Sequence, residues 1–87
     1  MVVGGWTIQE PVSAENKAVL ETALNGLVGC KYEPLVVAFQ VVNGMKYIFI
    51  AKSTLVTPDP KIGLAKIYVT AIPAGQEPTL INIEPIV

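Results

Sequence analysis

The chain has 87 residues, of which 52% are hydrophobic and 15% are charged. This length fits one domain spanning residues 1–87, and the low share of charged residues argues against a disordered chain. The net charge is −1, and six lysines are scattered among seven acids. This distribution lacks the basic patch that is typical of nucleic-acid-binding proteins, so no nucleic-acid partner is expected.

A single helix is predicted near the N-terminus. Ser13 is a suitable N-cap, and Glu15 lies in the first turn, where the helix dipole favours an anion. Apolar residues then recur with helical spacing, which predicts a helix that begins at Ala14 and ends at Gly26 or Gly29. The residues of this apolar stripe are Val19, Leu20, Ala23, Leu24 and Leu27.

Four strand-like segments follow the helix, at residues 32–42, 45–56, 64–72 and 79–87. Together with a short apolar segment at residues 6–9, they predict an α+β domain with one α-helix packed on a four- to five-stranded antiparallel β-sheet. In the first two long strands, alternation predicts which side chains face the helix. This predicted helix-facing set is Leu35, Val37, Phe39, Tyr47, Phe49 and Ala51.

Three uncharged segments are predicted to meet at one edge of this sheet. The pair Asn43-Gly44 predicts a tight hairpin between the first two long strands. In an antiparallel meander, this hairpin at residues 41–44 and the later loop at residues 72–75 lie at the same edge. If residues 6–9 pair antiparallel with the first long strand, residues 2–5 start at that edge as well.

The residues do not form a catalytic, metal or cofactor site. The chain has no histidine, the commonest general base. We interpret Cys30 as a small apolar residue of the interior and Trp6 as a core residue. The acids form no spaced pair typical of a metal or glycosidase site, and the glycines form no phosphate-binding loop. An enzyme is therefore not expected.

The location of the protein is predicted from its apolar runs and its cysteine. No apolar run reaches the roughly 18–20 residues that a membrane-spanning helix requires. The first six residues, MVVGGW, lack the basic start and apolar core of a signal peptide. Because Cys30 is the single cysteine, no disulfide can form within the chain, which is typical of a reducing compartment. We therefore expect a cytoplasmic protein without a membrane partner.

Residues 40–44, Gln-Val-Val-Asn-Gly, resemble the Gln-X-Val-X-Gly motif of the cystatins, which inhibit papain-like cysteine proteases. The order of features is similar too, with a glycine near the N-terminus, a helix, the motif between two strands, and a later Ile-Pro-Ala-Gly loop at residues 72–75. Over essentially its whole length the chain is most similar to the stefins, the small cystatins without disulfides or a signal peptide. Asn43 departs from the small residue often found at its position in the motif.

This resemblance implies a cystatin-like fold and a reversible, tight-binding, non-covalent inhibitor of papain-like cysteine proteases of the cathepsin class. The three segments would enter the protease cleft as a wedge without being cut. Val2 and Val3 are expected to fill nonprimed substrate pockets, with Gly4 as a hinge, while residues 41–44 cover the catalytic groups and the later loop covers the primed side. The implied protease-binding residues are Val2, Val3, Gly4, Gly5, Gln40, Val41, Val42, Asn43, Gly44, Ile72 and Pro73.

Two alternatives stay open at this stage. A cystatin-like domain can serve as a binding or structural module that inhibits no protease, because a fold does not decide a function. The second alternative is self-association, since stefins exchange domains by straightening this hairpin, which implies a domain-swapped homodimer opened at residues 41–44. The face of the sheet away from the helix offers a further apolar interface, formed by Val36, Ala38, Ile48 and Ile50.

Overall fold

The structure is a computed structural model that describes residues 2–87, with side chains from residue 4 onward. Within these residues the chain forms one helix and six strands. The helix is α1 (Ala14–Ala23). The strands are β1 (Val2–Val3), β2 (Trp6–Gln9), β3 (Cys30–Val42), β4 (Gly44–Leu55), β5 (Ile62–Ala71) and β6 (Thr79–Pro85).

All six strands belong to one antiparallel sheet, in which each strand pairs with the strand that precedes it in the chain. The predicted α+β arrangement, an antiparallel meander with a single helix on one side, is confirmed. Five strands have four or more residues, which agrees with the upper limit of the predicted number. The sixth is the two-residue strand β1 at the outer edge.

The helix begins where the sequence predicts. Ser13 has an extended backbone, and its hydroxyl accepts a hydrogen bond from the backbone N–H of Asn16 at 3.2 Å. The side chain of Gln9 also ties strand β2 to this end of the helix, because its Oε1 accepts from the Ser13 N–H at 2.9 Å and from the Asn16 Nδ2 at 3.0 Å. Capping of this kind satisfies N–H groups that have no partner within the helix.

The predicted end of the helix is wrong by several residues. Helix α1 ends at Ala23, and Leu24 already has a non-helical ψ of 3°. The chain then turns, with the Leu27 N–H donating to the Leu24 carbonyl at 2.9 Å and Gly26 at a φ of +86°. Leu27, which the periodicity assigned to the apolar stripe, is therefore exposed.

The core lies between α1 and the face of the sheet that it covers. Of the predicted helix-facing residues, Leu35 is wrong, since it is 42% exposed and lies at an irregularity where the β3–β4 register shifts between Pro34 and Val36. One extra residue in β3 reverses the alternation at this point. The buried core residues are Val12, Leu20, Val37, Tyr47, Phe49, Ala51, Ala65, Ile67 and Val69.

Aromatic side chains line the middle of this core. The Tyr47 ring lies 5.8 Å from that of Phe49 and 6.4 Å from that of Phe39, measured between ring centroids. Burial raises the pKa of the Tyr47 hydroxyl, which keeps the phenol neutral at physiological pH. Within residues 2–87, no helix is long and apolar enough to cross a membrane.

Candidate functional site

The candidate site begins at the hairpin between β3 and β4, which the pair Asn43-Gly44 predicted. The two strands stay paired up to Val42 and Gly44, which leaves Asn43 alone at the apex. Gly44 has a φ of +123°, whereas no residue other than glycine has a positive φ in the described chain. The reversal therefore depends on Gly44. The arms of the hairpin are long, with 13 residues in β3 and 12 in β4.

The second predicted segment, the loop after β5, packs directly against this hairpin. Strand β4 pairs with β5 up to Met45 and Ala71, so β5 ends beside Gly44. A Cβ added at Gly44 would overlap the Ala71 carbonyl oxygen and would lie 3.0 Å from the Cα of Ile72. The hairpin and the loop thus meet backbone to backbone, at a position where only glycine fits.

The loop itself is a compact turn. The N–H of Gln76 donates to the Pro73 carbonyl at 3.1 Å, and Gly75 has a φ of +90°. A positive φ at the third position is the mark of a type II turn, which favours glycine there. Ile72 and Pro73 are exposed on this turn, so the structure places both predicted residues at the same edge as the hairpin.

The third predicted segment reaches this edge through a turn of two glycines. Strand β2 pairs antiparallel with β3, and Gly5 lies beside Gln40, since an added Cβ would be 3.3 Å from the Gln40 Nε2. Gly4 and Gly5 have φ values of +57° and +82°, as in the tight turns that close two-residue β-hairpins. We call residues 4–5, 41–44 and 72–75 together the ridge.

Val2 and Val3 do not extend the ridge. The turn at Gly4-Gly5 folds them back, so that Val2 pairs with Thr7 and Val3 with Trp6. Their side chains lie outside the described part of the structure. The expectation that they fill nonprimed pockets, with Gly4 as a hinge, stays a prediction.

The ridge exposes aliphatic side chains and carries no charge. Val41 is 75% exposed, and Val42 and Ile72 are exposed as well. None of the three segments contains an acidic or basic residue. Because its backbone is held by strand pairing and by the Gly44 contact, the ridge offers apolar groups on a preorganised support. Such a surface is suited to contact with another molecule.

A groove that the sequence did not predict lies next to the ridge, on the face of the sheet away from the helix. It has a volume of about 430 Å³, and Trp6, Lys46, Tyr68 and Thr70 are among its lining residues. The interpretation of Trp6 as a core residue is therefore wrong, since it is only half-buried and lines this open groove. The pairing of Lys46 with Thr70 depends on the β4–β5 register, which the sequence alone does not specify.

Groups with chemical reactivity are not part of the ridge. Cys30 begins β3, at the opposite end of that strand from the hairpin, and its Sγ lies 3.7 Å from the Lys31 carbonyl oxygen. Among the residues that the structure describes, no cluster of three or more His, Cys, Asp or Glu side chains could hold a metal ion. What the ridge offers is shape and apolar contact.

Comparisons of the chain with models of protein families, with curated proteins and with solved structures found no match in any of the three.

Proposed function

We propose that this protein is a reversible, tight-binding, non-covalent inhibitor of papain-like cysteine proteases that blocks the active-site cleft with the ridge. One observation carries the proposal. The contact of Gly44 with Ala71 and Ile72 joins the Gln-Val-Val-Asn-Gly hairpin to the second loop, so two segments distant in sequence form one exposed and uncharged edge.

The physical properties of the ridge support inhibition by contact. A fully buried aliphatic side chain contributes about 1.5–3 kcal/mol of transfer free energy, and Val41, Val42 and Ile72 are all exposed before binding. Little conformational entropy is lost when a surface that is already ordered docks. The chain also reverses direction at Asn43, so it does not offer the cleft an extended segment to be cut.

The N-terminal segment has a separate role in this proposal. Val2 and Val3 leave β2 and enter the nonprimed side of the cleft, and Gly4 is the hinge. A Cβ added at Gly4 would meet nothing within 4 Å, so there is free space around the hinge. Among the described residues, two pairs hold β1 to β2, and each backbone hydrogen bond contributes about 0.5–1.5 kcal/mol. Release of β1 is therefore a small cost compared with the contacts that follow.

In this proposal the protein has no catalytic activity and no cofactor. It acts in the cytoplasm on proteases of the cathepsin class. The single cysteine, Cys30, supports a reducing compartment. A domain-swapped homodimer would bury the hairpin in an interface. In this proposal the dimer is a second state of the same chain, which competes with the inhibitory monomer.

The first test is a titration of papain of known active-site concentration with the wild-type protein. We expect activity to fall linearly to zero at one inhibitor per enzyme. Val41→Asp should weaken inhibition by about 10- to 150-fold, which corresponds to the loss of one aliphatic contact of 1.5–3 kcal/mol. Its thermal midpoint should not change, because Val41 is 75% exposed.

The matched control is Val56→Asp. Val56 is also an exposed valine, but it follows β4 at the end of the sheet away from the ridge. This variant should inhibit as the wild type does. A folded wild-type protein that leaves papain fully active at micromolar concentration would refute the proposed function.

A further inference from the structure

The chain contains two Asn-Gly pairs, Asn25-Gly26 after helix α1 and Asn43-Gly44 at the apex of the ridge. Asparagine is among the thermolabile residues of proteins. It is most labile before glycine, because glycine has no side chain to keep its backbone nitrogen away from the preceding side-chain amide. Both asparagines are exposed, so water reaches each of them.

Backbone hydrogen bonds restrain the first pair. The Asn25 N–H donates to the Thr22 carbonyl at 3.2 Å, and the Leu27 N–H donates to the Leu24 carbonyl at 2.9 Å. The second of these bonds spans both residues of the pair. It therefore opposes the rotation that would bring the Gly26 nitrogen to the side chain of Asn25.

The second pair is restrained less at its asparagine. In the β3–β4 register, Val42 is paired with Gly44, and Asn43 between them belongs to no pair. The rotations that bring the Gly44 nitrogen to Cγ of Asn43 are those of Asn43 itself, about its backbone and its side chain. Of the two pairs, Asn43-Gly44 is therefore the one in which the two reacting atoms meet more readily.

The reaction of this pair requires water and no other group. The Gly44 backbone nitrogen loses its proton to hydroxide and attacks Cγ of Asn43. The bond from Cγ to Nδ2 then breaks, and Nδ2 takes a proton from water and leaves as ammonia. Water opens the resulting cyclic imide at Cγ, which gives aspartate, or at the main-chain carbonyl carbon, which gives isoaspartate. Either product has a carboxylate in place of the neutral amide, with one water consumed and one ammonia released.

The new carboxylate would lie in the middle of an apolar surface. The three segments of the ridge contain no charged residue, and Val41 and Val42 are exposed directly before Asn43. A charge that enters a cleft together with these side chains loses its hydration, which is costly unless a partner of opposite charge is present. Aspartate at this position would therefore oppose binding.

Isoaspartate would also change the path of the backbone. Its main chain runs through Cγ, so one more carbon atom lies between residues 43 and 44. The ridge has no room for this extra length, because Gly44 packs against the backbone of Ala71 and Ile72, where even a Cβ would overlap the Ala71 carbonyl oxygen. The hairpin and the second loop would no longer meet as they do in the fresh protein.

We propose that Asn43-Gly44 is a chemical switch within the ridge, in which hydrolysis of the Asn43 amide through the cyclic imide ends the inhibitory activity. The loss of inhibition rests on the proposed function, whereas the modification of Asn43 does not. Because hydroxide takes part in the first step, the switch runs faster at mildly alkaline pH than at acidic pH. The age of the protein and the pH that it has met then determine the active fraction.

The test is an incubation of the purified protein at mildly alkaline pH, with a second sample held at mildly acidic pH for the same time. Peptide mass mapping follows conversion at residues 43 and 25, and papain titration of the same samples follows the active fraction. We expect Asn43 to convert before Asn25, and the active fraction to fall in step with conversion at residue 43. The acidic sample should keep its amide and its full activity.

Two variants separate the switch from general ageing of the protein. Asn43→Ala cannot form the imide, and alanine tolerates this position because Asn43 does not have a positive φ. It should inhibit as fresh wild type does and should keep its activity at alkaline pH, although Asn25 still ages. Asn43→Asp should inhibit at least about tenfold more weakly. Val56→Asp adds the same charge away from the ridge and should not weaken inhibition.

The modification is also measured without a protease. Ion exchange separates the converted forms, and the isoaspartate form should have a lower thermal midpoint than fresh protein. Full activity after complete conversion at residue 43 would overturn the proposal, as would equal loss of activity in Asn43→Ala and wild type. Conversion at Asn25 while Asn43 stays intact would overturn it as well. Fresh protein that does not inhibit papain would refute the proposed function instead, and the mass map and the thermal midpoint would still decide whether Asn43 is modified.

Discussion

Gly44 is the residue on which the geometry of the ridge depends most. Its φ of +123° is one that other residues adopt only with strain, and its Cα faces the backbone of Ala71 and Ile72. A side chain here would disturb the turn and would also separate the hairpin from the second loop. Gly75 allows these two effects to be distinguished. Its φ is also positive, but a side chain there would meet no neighbouring atom.

Gly44→Ala should destabilise the fold by about 3 kcal/mol and weaken papain inhibition, since strain at a positive φ adds to a backbone clash. Gly75→Ala is the control, because Gly75 has a φ of +90° but an added Cβ would meet nothing within 4 Å. It should cost about 1 kcal/mol. Urea denaturation measures both values, and equal losses in the two variants would contradict the role given to the Gly44 contact.

The sequence could predict the hairpin at this residue but not the contact that it makes. Asn43-Gly44 specifies a reversal through local backbone preferences, which a short segment contains. The contact with Ala71 depends on the β4–β5 register, which results from packing along the whole of both strands. Leu35 illustrates the same limit, because a single extra residue in β3 reversed its predicted side.

Among the elements, helix α1 has a start that local residues specify and an end that they do not. The start of α1 was predictable, because Ser13 caps it through its own side chain. Its end was not, since the apolar periodicity continues to Leu27 while the chain already turns after Ala23.

Strand β1 provides a test at the level of an element. Deletion of residues 1–3 should weaken papain inhibition while the thermal midpoint stays nearly unchanged. In the part of the chain that the structure describes, β1 pairs with β2 through two residues and with no other strand. Calorimetry and the papain titration on the same samples measure the two effects. If the midpoint falls together with inhibition, the segment stabilises the fold and does not act in the cleft.

For the whole molecule, the arrangement of one helix on an antiparallel meander followed from the sequence. A single amphipathic segment and a series of consecutive strands have few other ways to bury their apolar residues. The meander then brings the ridge segments to one edge, as predicted, because alternate turns of a meander lie on the same side. The groove beside Trp6 depends instead on side-chain packing across the sheet, which the sequence pattern does not determine.

The hairpin also gives the whole molecule a second state to test. If residues 41–44 straighten, β3 and β4 can pair between two chains, and the Gly44 contact with the second loop is lost. We expect that a concentrated sample after heating and cooling contains a dimer that no longer inhibits papain, while an unheated sample stays monomeric and active. Size-exclusion chromatography with light scattering, followed by titration of each fraction, measures this. A dimer with full inhibitory activity would argue against exchange through the hairpin.

The order of the strands has a consequence for biosynthesis. Because each strand pairs with the one before it, no strand has to be inserted between two that are already joined. During translation, when the N-terminal part of a domain emerges first, the sheet can grow at one side only, by one strand at a time. Helix α1 leaves the ribosome before all the strands from β3 to β6. Because the helix contacts both β3 and β6, its apolar side is fully covered only when the last strand of the sheet has been made.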